Sequence, residues 1–97
     1  MKTAQIVSEL IEVSQQLGLN VRIERGNFRG GYCILSEDSI IVLNKRHPPE
    51  IHLSVLADIL RGKPVDTVYI KPAVRNALQR SWEARESQID LELPTPE

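Results

Sequence analysis

The sequence predicts an α+β fold: one two-layer domain in the order α-β-β-β-α-β-α, with helices packed on a mostly antiparallel sheet. Three observations carry that reading. Apolar residues recur at helical spacing over residues 3 to 17, the period changes to two at Leu19, and Ile40-Ile41-Val42-Leu43 is apolar on both faces of an extended chain. The chain's 97 residues suffice for one core and are too few for two.

The first helix places Ile6, Leu10, Val13 and Leu17 on one face, with Val7 and Ile11 beside them. Gly18 follows as a left-handed cap, and Leu19 can make the apolar contact that accompanies such caps. Leu19, Val21 and Ile23 then alternate with Asn20, Arg22 and Glu24, which predicts a strand buried on one side. Tyr32 to Leu35 and Ile40 to Leu43 read as a hairpin around the polar turn Ser36-Glu37-Asp38-Ser39. The second run, polar on neither face, is the expected central strand.

Pro48 and Pro49 suit the start of a second helix, because the first turn has no use for their missing N–H. Ile51 to Leu60 supply its apolar residues, and Gly62 and Pro64 end it. Thr67 to Ile70 predicts a fourth strand, parallel to the third if the two are neighbours. Pro72 opens a third helix with Val74, Leu78 and Trp82 four apart along one side, Trp82 covering the edge of the core. Residues 1–82 form the domain and 83–97 an acidic tail. Within the tail Ile89, Leu91 and Leu93 alternate with Asp90, Glu92 and Pro94, a pattern that can add a strand to a sheet edge in this chain or in a second copy.

Composition narrows the function classes. With 41% hydrophobic residues and few aromatics, the core is built from Leu, Ile and Val, which suits thin helix-on-sheet packing and leaves no large ligand chamber. A single cysteine rules out an internal disulfide, falls short of a structural zinc site, and fits a reducing cytoplasm. Glu9 and Glu12 interrupt the first apolar stretch, so no signal peptide or membrane span is expected there. Residues 1 to 82 carry a net charge of +3 and residues 83 to 97 carry −4. That body charge is below what a dedicated nucleic-acid binder concentrates, but it can meet one anion or an acidic partner segment.

The segment Arg25-Gly26-Asn27-Phe28-Arg29-Gly30-Gly31 stands between two expected strands. Its simplest role is a wide turn or bulge. Its second is an anion site, in which Gly30 and Gly31 offer backbone amides and Arg25 and Arg29 offer guanidiniums. Neither standard nucleotide loop fits, because a strand follows and not a helix. Lys45, Arg46 and His47 leave the sheet at the end of the third strand, where ligands of open sheets collect, and Lys71 at the end of the fourth would join them if those strands are parallel neighbours.

Two other constellations lead less far. Cys33 would need His47 or His52 beside it to act as a thiol nucleophile, and a lone cysteine in an apolar strand is ordinarily a small hydrophobe. His47, Glu50 and His52 resemble metal ligands in order but not in spacing, since Glu50 and His52 are two apart on a helix and diverge. Glu50 is explained by the helix dipole. No cofactor and no metal is expected.

The run Phe28-Arg29-Gly30-Gly31-Tyr32-Cys33, then Ile40-Ile41-Val42-Leu43-Asn44-Lys45, a proline and the helix Leu53 to Leu60 resembles a pattern in small uncharacterised bacterial proteins. The order strand, hairpin, apolar strand ending in Asn, then helix over residues 19 to 60 also resembles the start of the zinc metallopeptidase domain of phage-repressor-cleaving proteases. That family's helix carries His-Glu-x-x-His. Here it reads Ile51-His52-Leu53-Ser54-Val55-Leu56-Ala57-Asp58-Ile59-Leu60, so the resemblance brings neither zinc nor peptidase activity with it.

The expected function is therefore a non-enzymatic cytoplasmic binding module that meets an acidic partner segment or small anion through Arg25, Arg29, Gly30, Gly31, Lys45, Arg46 and Lys71. Two alternatives stand beside it: a small hydrolase or thiol enzyme using Cys33 with a histidine, and a structural domain that forms a homodimer. Membrane and nucleic-acid partners are not expected.

Overall fold

The computed structural model describes residues 1–28, 30–35 and 38–92. It is an α+β domain of helices α1 (Thr3–Gln16), α2 (Pro49–Leu60) and α3 (Pro72–Glu92) and strands β1 (Asn20–Glu24), β2 (Gly31–Leu35) and β3 (Asp38–Asn44). No helix among the described residues is long and apolar enough to cross a membrane.

α1 ends as its sequence dictates. Gly18 takes φ +86°, which frees its N–H to bond Gln15 O at 3.0 Å and the Leu19 N–H to bond Ser14 O at 2.9 Å. This paired closure is a Schellman cap, and it turns the buried Leu19 into the same cluster as Val13. α2 starts on Pro48 as its N-cap with Pro49 in the first turn and Glu50 behind it.

The sheet order is β1-β3-β2. β3 is the central strand, as its two apolar faces predict. It pairs antiparallel with β2, Tyr32 opposite Ile41, and parallel with β1, Arg22 opposite Val42. The sheet is thus mixed rather than purely antiparallel, with one pairing of each kind. The expected turn at residues 36–37 lies outside the described residues, while Asp38 and Ser39 already belong to β3.

Alternation sends Ile41 and Leu43 of β3 to one face, where they meet Leu10 and Val13 of α1 and Leu56 and Leu60 of α2 in one core. α3 packs on α1 and α2. Val74 and Leu78 are buried on its inner side, and the half-buried Trp82 donates its indole N–H to Ala57 O in α2 at 2.7 Å.

Three local expectations are corrected. Thr67 to Ile70 is not a strand: Val65–Thr67 is a 3-10 turn, held by Thr67 Oγ1 donating to Pro64 O at 2.7 Å. Both sides of β3 are already occupied by β1 and β2, so a fourth strand has no place next to it. The alternating pattern at Ile89 to Leu93 is not a strand either, since α3 runs on to Glu92; Leu93 and the residues after it lie outside the described residues. Ile23, expected inward, is 52% exposed, near the end of β1, which is an outer strand.

Candidate functional site

The parallel pairing of β1 with β3 brings the two basic segments of the sequence together. Glu24 stands opposite Asn44, so both strands end at the same edge of the sheet and Arg25 emerges beside Lys45. The ladder extends one step further, with Lys45 N–H donating to Glu24 O at 2.8 Å. β2 lies on the far side of β3, about 10 Å from β1 across a three-stranded sheet. Gly26 to Phe28 therefore arch over the end of β3, and the glycine-arginine segment is not a turn between neighbouring strands.

Asn44 is the keystone of that arch. It is buried at 3% exposure, on the face of β3 opposite the core. Its Nδ2 donates to Gly26 O at 2.9 Å and to Phe28 O at 2.6 Å, and its Oδ1 accepts from the Arg46 N–H at 3.0 Å. The Asn44 carbonyl accepts from the His47 N–H at 3.0 Å and from His52 Nε2 at 2.6 Å, which fixes the Nε2–H tautomer of His52 and ties the first turns of α2 to the site. One residue, through its side chain and its carbonyl, thus holds the loop, the basic tripeptide and the helix in register.

Two glycines fit the arch closely. Gly30 has φ +93°, and a Cβ on it would lie 2.7 Å from Val42 O. A Cβ on Gly26 would lie 2.8 Å from the ring of Phe28, which folds back over that residue. Gly31 opens β2 opposite Val42.

Gly26, Asn27, Phe28, Asn44, Arg46 and His47 line an open cleft of about 470 Å³, within the size range of small-ligand sites. Arg46 is an exposed member of that lining, Arg25 and Lys45 are exposed next to it in sequence or register, and none of the three has an ion-pair partner among the described residues. His47 contributes a buried Nδ1 without a hydrogen-bond partner there. Its ring is 6.4 Å from that of His52.

Of the residues singled out from sequence, Arg25, Gly30, Gly31, Lys45 and Arg46 come together at this end of the sheet, and Arg29 lies outside the described residues. Lys71 does not join them. It pairs with Glu9 of α1, and that hydrogen bond, followed by the charges of Glu9 and Glu12, holds its pKa above the ordinary lysine value. The reason is the missing fourth strand, without which nothing brings residue 71 to β3.

Cys33 stands opposite Ile40, four positions before Asn44, or about 13 Å of strand from the carbonyl that holds His52. Among the described residues no group of three or more His, Cys, Asp or Glu side chains is placed to hold a metal ion.

Asn44 is the residue that sequence reasoning passes over. Its signal was available: an amide closing a wholly apolar strand needs partners once buried. Comparison with protein-family models, curated proteins and solved structures finds no match to this chain.

Proposed function

We propose that this protein is a small binding module that takes a carboxylate-rich segment of a partner protein at the arch over β3. The observation that supports the reading is the register that sets Arg25 beside Lys45 at the end of the sheet where Arg46 lines an open cleft. Guanidiniums grip a carboxylate in a two-pronged fashion, and Lys45 adds a point charge. An open groove with exposed cations suits an extended acidic chain better than an enclosed small molecule. Arg29, which follows Phe28 in the sequence, belongs to the proposal as a further cation.

The test is an amide-shift titration of the full chain with a poly-glutamate peptide and, in parallel, with inorganic phosphate. The peptide is expected to shift Gly26 to Phe28 and Lys45 to His47, to do so less at high salt, and to lose the effect in the Arg25→Glu/Arg46→Glu variant. Phosphate alone giving those shifts would replace the acidic segment with a small anion. No shift with either probe at millimolar concentration would remove the site.

A further inference from the structure

The outer edge of β1 is an open strand template. β3 occupies one side of it, and among the described residues no strand lies on the other. Since Glu24 O accepts from Lys45 N–H, and the bonding residue alternates along a parallel ladder, Asn20, Arg22 and Glu24 turn their main-chain groups toward β3. Val21 and Ile23 turn theirs outward. Free groups of this kind recruit another strand unless something blocks them. Beside them stands Ile23, an apolar side chain left 52% exposed.

We propose that this edge pairs with the same edge of a second copy, antiparallel, about a two-fold axis through Ile23. The charge pattern selects that register. With the axis at Ile23, each Arg22 stands opposite Glu24 of the second copy in a non-hydrogen-bonded pair, where side chains approach most closely. Ile23 then faces Ile23 of the second copy, and both main chains exchange hydrogen bonds there.

An axis at Arg22 would use the same outward groups but set Arg22 against Arg22 and leave Glu24 facing Asn20. An axis between residues would set outward groups against inward ones and form no ladder. The chosen register is therefore the one in which hydrogen bonds, charges and the exposed Ile23 are all matched. It makes one continuous sheet, β2-β3-β1-β1-β3-β2. It also moves the expected dimer contact from Ile89 to Leu93, where the backbone is helical to Glu92, to a strand that exists.

A five-residue edge is a small interface, so the association is a concentration-dependent equilibrium and not an obligate dimer. Sedimentation equilibrium of the full chain from micromolar to millimolar concentration is expected to show monomer and dimer. Arg22→Glu, which opposes Glu24 with glutamate twice, is expected to weaken the dimer by about tenfold or more. Arg22→Glu/Glu24→Arg restores it, and Ile23→Lys abolishes it without unfolding a chain in which that side chain is already half in water. Truncation after Arg85 leaves it intact.

A monomer at every concentration would overturn the proposal. So would a dimer indifferent to Arg22→Glu, a double variant no better than the single one, or a dimer lost on truncation.

Discussion

Nδ2 of Asn44 donates to the carbonyl oxygen of Phe28 at 2.6 Å, and its second proton reaches Gly26 O at 2.9 Å. One amide thus satisfies two carbonyls of an arch whose described residues, 25–28, have no ladder of their own. Asn44→Ala leaves both without that donor, and is expected to cost about 1–3 kcal/mol of unfolding free energy in urea. Asn44→Asp should cost at least as much, because its carboxylate still accepts from Arg46 N–H but turns an oxygen toward the two carbonyls. Amide shifts should concentrate in residues 25–28 and 45–47. A loss below about 0.5 kcal/mol for both variants would mean the arch holds without its keystone.

Gly30 and Gly18 separate two reasons for glycine. Both have left-handed backbone, at φ +93° and +86°, but a Cβ at residue 18 would meet open space, whereas one at residue 30 would lie 2.7 Å from Val42 O. Gly18→Ala is expected to cost about 1 kcal/mol, the conformational term alone. Gly30→Ala adds a backbone collision within the sheet and should cost roughly 2–4 kcal/mol. Equal costs in thermal or urea unfolding would show that the loop moves away from β3 freely.

Residue pattern revealed which segments are extended or helical, and it failed where pairing decides the outcome. Ile40 to Leu43 read as central because neither face is polar, and β3 is central. Nothing in a period of two says that β1, next to β2 in sequence, pairs instead with β3. That choice created the site, since it alone sets Arg25 beside Lys45. At Val68 the chain does extend, with φ −122° and ψ 155°, as its β-branched residues prefer, but β3 has no free side to pair with. At residues 83–92 the Ala, Glu, Arg and Gln content favours helix, and it outweighs the alternation from Ile89 onward. Buried Asn44 was visible as a letter but not as a hub, because its partners Gly26 and Phe28 lie 18 and 16 residues earlier.

Trp82 joins α3 to α2 through its indole N–H on Ala57 O, a carbonyl that also accepts from the Arg61 N–H at 3.1 Å. Trp82→Phe keeps most of the ring packing and removes one donor, while the acceptor retains its helical partner. The expected cost is about 1 kcal/mol. Trp82→Ala removes the ring from the core edge as well and should cost about 3 kcal/mol. Both are read by circular dichroism, because the chain has one tryptophan and loses its fluorescence with it. A Phe variant as costly as the Ala variant would place the weight on the hydrogen bond and not on the ring.

Tyr32 supplies the pH prediction. Its hydroxyl lies 3.0 Å from Ser39 Oγ and accepts from Lys63 Nζ at 3.3 Å, and the same ammonium stands 4.6 Å from the ring centre. The Ser39 hydroxyl first, and Lys63 second, favour the phenolate and lower the pKa from its ordinary 10.0. A depressed pKa in the folded state means that Tyr32 adds stability once pH exceeds the unfolded value, and that this addition is lost as pH falls through the folded value. At neutral pH the group is protonated in both states and contributes nothing by this route. Lys71, whose pKa is raised by Glu9, has the opposite sign: its contribution is full below the unfolded lysine value and is lost as pH rises through the folded one. Tyr69→Phe, at a side chain 78% exposed, leaves Tyr32 as the one tyrosine for an ultraviolet titration. Its midpoint should lie below 10.0 in the folded chain and return toward that value in urea. Ser39→Ala should raise the folded midpoint more than Lys63→Met does, and identical folded and unfolded midpoints would show that neither neighbour reaches the phenolate in solution.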